Sequence, residues 1–435
     1  MKVLESEKKV GIETFYTNFK GVKGKLRTTP QDFKVKEIFS YPKKGKGKFT
    51  IAEVTSTNWE TNRLIRDLSN KLHISRQRIN FAGTKDKRAK TTQLLSFYKV
   101  KPENIKEIKL RDVEIENIYS SSKPVKIGRL KGNHFEIKIR DIRKNLTNKE
   151  ASKISKDLKQ KCFFPNFFGI QRFGSIRPIT HIVGKYLVKG DIKKAVMTYI
   201  ANPAEEENKE TYDLRKKLEE THDYPWALKN YPDTLNFEKA ILNKLVENPN
   251  DYTEALKELP KNLLTMFVYA YQSYLFNKIL SKRIEKEIPI DKAIVGDIIL
   301  PVRNNEISDE QIIVKKHNLD KINKQISKNK AYVSGVLIGT DSIFSKGEMG
   351  EIEQSVIEQE KIDPRDFIIP EIPFISSSGL RRSISSEYKD FNLDLLKDDI
   401  DSNKKMIKVD FSLKKGCYAT SFLREIMKAE NIRDY

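Results

Sequence analysis

Three segments, far apart in the chain, alternate apolar and polar residues with a period of two. In PQDFKVKEI (30–38), Phe33, Val35 and Glu37 fall on one side and Lys34 and Lys36 on the other. Phe135, Ile137 and Ile139 alternate with Glu136, Lys138 and Arg140, and KMIKVDFSL (405–413) alternates again. This is the pattern of strands with one face buried and one face wet. Between the second and third segments the texture turns helical from about residue 181. Tyr186–Ile200, Phe237–Val246 and Asn262–Ile284 read as helices, and from Ile372 the chain is β-rich again. The pattern predicts an α+β protein, mostly antiparallel, with a more helical block in its middle.

Smaller elements follow from local signals. Residues 1–25 read as a polar arm and an early strand. Thr61 or Asn62 caps a helix with Leu64, Ile65, Leu68 and Leu72 on one face. Residues 145–161 read as a surface helix with Leu146, Ile154 and Leu158 inward. Asp320–Lys330 reads as a lysine-rich linker, and the last helix runs from Thr420, its cap, to Ala429.

Charge is unevenly placed. The 435 residues carry a formal charge of +22. Residues 1–180 hold 42 Lys+Arg against 18 Asp+Glu, whereas residues 181–435 hold 40 against 42. A basic part beside a neutral part points to a polyanion partner on one domain, with nucleic acid first. The plainer alternative is a lysine-rich composition spread over solvated faces. The length suits two or three domains. Two cysteines, Cys162 and Cys417, exclude a disulfide framework or a Cys-based metal cluster. No apolar run is long enough to span a membrane, and MKVLESEKKV lacks the apolar core of a signal peptide, so a cytoplasmic protein is expected. The five histidines (73, 134, 181, 222 and 317) show no metal-ligand spacing, and no phosphate-binding or dinucleotide glycine motif is present.

Chemistry concentrates in a few segments. FAGTKDKRAKTTQ (81–93) runs an apolar strand into Gly83 and then sets Asp86 among Lys85, Lys87, Arg88 and Lys90. A carboxylate in a basic loop repels phosphate, so it suits a nucleophile or base delivered to a sugar while the cations hold the backbone. The alternative is an Asp that caps a turn or pairs with a lysine. In GNHF (132–135), Gly132 lets the backbone approach a ligand, Asn133 both donates and accepts, and Phe135 can stack on a base. An ordinary hairpin with a core Phe explains it too. In NFFGIQRFG (166–174), Arg172 among three Phe has the vocabulary of single-stranded or flipped bases. Core packing explains the Phe residues equally well. GCYATSFLRE (416–425) reads as a structural glycine turn and helix start.

Together these segments resemble the tRNA pseudouridine synthase D (TruD) family in its archaeal and eukaryotic style. Its signatures occur in order: PQDFKVKEI, FAGTKDKRAKTTQ, GNHF, NFFGIQRFG, RPITHIVGKYLVKGD (177–191), AYQSYLFNKILSKR (270–283), GLRR (379–382) and GCYATSFLRE. The resemblance runs from about residue 24 to 430. It implies a pseudouridine synthase fold built on a mostly antiparallel sheet, with an inserted α+β TRUD domain. The expected division is 1–184 catalytic, 185–372 inserted and 373–435 returning to the catalytic domain. By resemblance, Asp86 is the catalytic aspartate, Phe135 stacks on the target uracil and Asn133 orients the aspartate or base. Phe33 lies near the site. Arg27 stands where many members carry a lysine, and it or Lys85 holds Asp86. Lys85 and Arg172 complete the expected substrate contacts. Lys414 and Lys415 replace a usual Leu-Pro, which leaves that loop's shape open.

The implied reaction is isomerisation of uridine to pseudouridine in tRNA, with uridine 13 the family's usual target. Relatives also act at other positions and on other RNAs. The reaction neither oxidises nor transfers a group between molecules, so no cofactor and no metal are expected, and no obligatory protein partner is inferred. Two other classes compete: an RNA-binding protein without catalysis, which has no need of Asp86, and a methyltransferase, whose methyl-donor pocket is not apparent.

Overall fold

The computed structural model describes residues 2–174, 176–304 and 306–435. The chain divides into two compact units. One comprises 17–164 and 386–435, the other 1–16 and 165–385.

The first unit is built on the alternating segments. Its strands are β1 (Lys23–Lys25), β2 (Phe33–Ile38), β3 (Lys44–Thr57), β4 (Ile79–Phe81), β5 (Lys90–Tyr98), β6 (Val113–Ser121) and β7 (Gly132–Ile142). Strands Ser385–Lys397 and Lys405–Lys414 follow near the C-terminus. The sheet runs β6-β3-β5-β2-β7, then 405–414, then 385–397. β2 and β5 pair in parallel, and the pairs on either side are antiparallel. Register puts Phe33 opposite Ile137, Val35 opposite Phe135 and Glu37 opposite Asn133. On the far side of β7, Phe411 faces Phe135 and Leu413 faces Asn133. A period of two therefore gathers these residues on one face of the sheet. Helices Asn148–Lys161 and Ala419–Met427 contribute to the same core, through Ala151, Ile154 and Leu158 and through Phe422, Leu423 and Ile426. The first is closed by a capping box between Thr147 and Glu150.

The second unit is mostly helical, with a small sheet in which strands Ile298–Arg303, Ala331–Leu337 and Leu380–Ser383 are neighbours. Helix Lys261–Glu285 packs against Thr180–Val188, and a Cβ on Gly184 would fall 2.0 Å from the Phe267 carbonyl oxygen. Among the described residues no helix is long and apolar enough to cross a membrane.

Several local expectations change. The texture changes near 181 and 372, and the resemblance bounds an inserted domain at 185–372; the compact units divide the chain at 164/165 and 385/386. The reason is packing: Phe167, Phe168 and Phe173 are buried in the second unit, and Leu380–Ser383 is one of its strands. Tyr186–Ile200 is two helices, Thr180–Val188 and Ile192–Ile200, parted at Gly190 with φ +72°. Asp320–Lys330 is no linker, since Leu319–Ile326 is a helix burying Ile322 and Ile326. The last helix starts at Ala419 with Tyr418, not Thr420, at its N-cap. In the N-terminal arm, Glu5–Lys8 forms a short helix and Val3, Val10 and Ile12 are buried.

Candidate active site

The loop between β4 and β5 carries Asp86. Its flanks are tied down: the Lys85 amide donates to Thr61 Oγ1 at 2.7 Å, and the Asn58 amide donates to the Ala89 carbonyl at 2.9 Å. Asp86 itself is 63 % exposed. A Cβ on Gly83 would make only ordinary contacts, so the turn does not require glycine there.

Arg27 comes to Asp86 from the segment between β1 and β2. Its backbone is left-handed, with φ +55°. Leu26, one residue earlier, donates its amide to the Asp434 carbonyl at 2.7 Å. The Arg27 guanidinium donates through Nη2 to Asp86 Oδ2 at 3.1 Å, and its Cζ lies 3.9 Å from the centroid of the Phe33 ring. Burial pushes the guanidinium below its ordinary value, and the Asp86 charge pulls it back up. Arg27 Nε is buried with no hydrogen-bond partner. Arg88 Nη2 donates to the Arg27 carbonyl at 3.2 Å, which ties the two segments together again.

Phe33 is held by the turn before it. Asp32 accepts from the Thr29 amide at 2.8 Å and takes two bonds from Arg140, Nε at 2.9 Å and Nη2 at 2.6 Å. That bidentate pair is buried and fixes both distance and angle. From Phe33 the aromatic contacts continue inward. Phe135 meets Phe33 edge-on at 6.3 Å and stacks on Phe411 at 5.1 Å. Phe135 is 6 % exposed. Asn133, two residues along the same face, has its Oδ1 buried with no hydrogen-bond partner. A Cβ on Gly132 would fall 2.1 Å from the Leu413 carbonyl oxygen, so close strand packing, not ligand access, requires that glycine.

Thus Asp86, Arg27, Phe33 and Phe135 form one chain of contacts, with Asn133 beside Phe135. Lys85 does not face Asp86. It turns inward, 6 % exposed, and donates to Glu37 Oε1 at 2.6 Å. The other Glu37 oxygen accepts the Leu94 amide at 3.2 Å. Glu37 escaped the sequence reading as a site residue, although its place on the apolar side of the β2 alternation was its signal. Arg172 belongs to the other unit, in the turn Ile170–Arg172, with Nε buried and without a partner. The Phe residues of its motif are core: Phe168 meets Phe276 edge-on at 5.5 Å and Arg382 lies 4.4 Å over its ring. Among the described residues no three His, Cys, Asp or Glu side chains gather as metal ligands.

A family model described as tRNA pseudouridine synthase D (TruD) matches residues 9–426. A curated protein of Methanococcoides burtonii, named "Probable tRNA pseudouridine synthase D", is 42 % identical over 98 % of both chains. A protein of the same name from Methanosarcina barkeri is 39 % identical over the full length of both. The crystal structure of a Methanosarcina mazei protein described as "Putative tRNA pseudouridine synthase D (TruD)", 38 % identical, superposes with a TM-score of 0.93 over 100 % of both chains.

Proposed function

The chain belongs to the tRNA pseudouridine synthase D family, and from that premise we propose that Asp86 carries the conversion of uridine to pseudouridine in tRNA, with uridine 13 as its target. The activity is that of an isomerase. The N1–C1′ bond breaks, the uracil turns, C5 bonds to C1′, and the C5 proton is exchanged for one on N1. Atoms balance within the substrate, so the chemistry calls for no cofactor. The working compartment is that of tRNA, the cytoplasm.

The observation that carries this reading is the Arg27–Asp86 pair. An exposed carboxylate is held at 3.1 Å by a guanidinium that is itself buried against Phe33. A carboxylate that served only packing would gain little from so exposed a place, since an exposed pair is worth about 0–1 kcal/mol. A carboxylate that must reach a ribose gains orientation from it. Attack at the sugar and removal of a ribose proton both require this exposed, oriented oxygen.

The target must leave its stack, at about a few kcal/mol. Phe135 offsets part of that cost. Little of its ring is open, so its share lies toward the lower end of the ~1–3 kcal/mol typical of a base on an aromatic. Phe33 and Phe411 hold the ring rigid, which spares ordering entropy. The orphaned Asn133 Oδ1 is an acceptor suited to a uracil N–H. Lys85 serves through Glu37 as a positioning group, and Arg172 serves the RNA backbone.

The test is carbodiimide labelling with primer extension on tRNA treated with wild type or Asp86→Ala. A stop at position 13 with wild type and none with the variant is expected. Product from the variant overturns the role of Asp86, and a stop elsewhere overturns the target.

A further inference from the structure

The unit that carries Asp86 also holds a cavity of about 440 Å³ that the proposed reaction does not use. None of Asp86, Arg27, Phe33, Asn133 or Phe135 lines it. Its size lies within the ~300–1,000 Å³ of small-ligand pockets. Its apolar lining includes Phe39, Leu94, Val125 and Leu130. Phe39 is steadied edge-on by Tyr41 at 5.1 Å, and the Tyr41 hydroxyl donates to Glu53 at 3.0 Å.

Cations surround this apolar lining. Lys123, Lys126 and Arg129 contribute to its wall and are exposed, and no ion pair holds any of them among the described residues. Pro42, also in the wall, leads into the basic run Lys43–Lys48. That run is pinned beside the cavity: the Tyr119 hydroxyl donates to the Pro42 carbonyl at 3.0 Å and Ser121 Oγ to the Lys43 carbonyl at 2.9 Å. Lys43, Lys44, Lys46 and Lys48 are all exposed. The one carboxylate in the wall, Glu37, is already answered by Lys85 and the Leu94 amide.

An apolar cavity with an aromatic side and an unpaired cationic margin matches one chemistry: a flat apolar ring tethered to phosphates. A bare anion has no use for Phe39 and Leu130. An apolar peptide has no use for three exposed cations in the wall and four more beside it. We propose that this cavity takes a second unstacked nucleobase of the RNA substrate, with its phosphates on Lys123, Lys126 and Arg129. This rests on the RNA-modifying reading above and adds a subsite to it. The cavity also adjoins the reacting loop, because Glu37 in its wall bonds Lys85, the residue before Asp86. A base held there sets the RNA's register against Asp86.

The experiment measures binding, so it does not depend on turnover. Fluorescence anisotropy gives the affinity of wild type and of Leu130→Trp, which fills the cavity, for tRNA bearing a single abasic nucleotide at successive positions. One abasic position other than the target should weaken wild-type binding roughly tenfold, as loss of a base–aromatic stack does. The same RNA should bind Leu130→Trp no worse than intact RNA does. Lys126→Ala/Arg129→Ala changes only exposed side chains and guards against misfolding of the Trp variant. It should lower the slope of log affinity against log salt by about two. Equal abasic penalties in wild type and Leu130→Trp overturn the proposal. So does competition by a free nucleoside monophosphate as effective as that by RNA, which would make the site one for free nucleotide. Absence of pseudouridine on any tRNA would instead overturn the catalytic reading, while the abasic series still decides the cavity.

Discussion

Arg27 Nη2 lies 3.1 Å from Asp86 Oδ2, although the two residues are 59 positions apart. The guanidinium side is 10 % exposed and the carboxylate side 63 %. The asymmetry matters more than the distance: the buried partner is the fixed one, and the exposed partner is the one a substrate can reach. Asp86→Asn keeps the size of the side chain and a hydrogen-bonding oxygen for Arg27. Its turnover should fall by several orders of magnitude, as for other residues that act directly on the bond. Its thermal midpoint should fall only modestly, because the carboxylate side is open to water and the Asn oxygen still accepts from the buried guanidinium. A large drop in the midpoint alongside lost turnover would mark Asp86 as structural.

Arg27 then divides charge from shape. Arg27→Lys keeps the charge and can still lie over Phe33, but gives up the planar fork. Arg27→Ala releases Asp86 altogether, and a misplacement of this kind costs about a hundredfold in rate. The lysine variant should fall between wild type and the alanine variant in single-turnover rate, with RNA affinity nearly unchanged in both. If both variants lose affinity and keep the rate on saturating RNA, Arg27 holds the substrate and not Asp86.

The buried pair of Lys85 and Glu37 makes a different demand. Removing one charge strands the other in the interior, at about 3–5 kcal/mol. Lys85→Met should lower the denaturant midpoint of this unit accordingly. Adding Glu37→Gln removes the stranded charge and keeps an acceptor for the Leu94 amide, so more than half of the loss should return. No recovery in the double variant would show that Glu37 has other partners worth more than Lys85.

How much of this could be read beforehand differs by residue. Strand alternation announced the β2–β7 face, because a period of two survives any register. It even carried Glu37 on the apolar side of β2, which betrays a buried partner without naming it. The partner was not legible: Lys85 sits in a loop among four other charges, and only the fold turns it inward. The Arg27–Asp86 contact depends on the register of separate strands, which pairing at long range sets and local spacing does not. The helix Leu319–Ile326 was hidden by its lysines, although Ile322 and Ile326 stand at the i, i+4 spacing of a buried stripe. The place where the compact units divide was hidden for a related reason. The aromatics of 166–174 read as ligand contacts as readily as core, and only packing assigns Phe167, Phe168 and Phe173 to the second unit's interior.

His181 supplies a pH test in that second unit. It is 5 % exposed, stacked on Tyr274 at 5.1 Å and edge-on to Phe173 at 5.1 Å, with Nδ1 unpartnered. Burial pushes its imidazole down to about 4, against a smaller upward pull from a Lys9 backbone hydrogen bond and the Glu360 charge. The folded ring is therefore neutral where the unfolded ring, near its ordinary value of about 6.5, takes a proton. The unfolded state binds the extra proton between those limits. Stability is full above about pH 6.5 and falls as the pH drops toward 4, at up to about 1.4 kcal/mol per pH unit. His181→Leu removes this titration and leaves the carboxylates common to both proteins. The stability difference between wild type and variant, measured by denaturant unfolding at pH 7, 6 and 5, should move in favour of the variant on each step down. A difference that stays constant from pH 7 to 5 would mean that the folded protein protonates this ring as readily as the unfolded chain does.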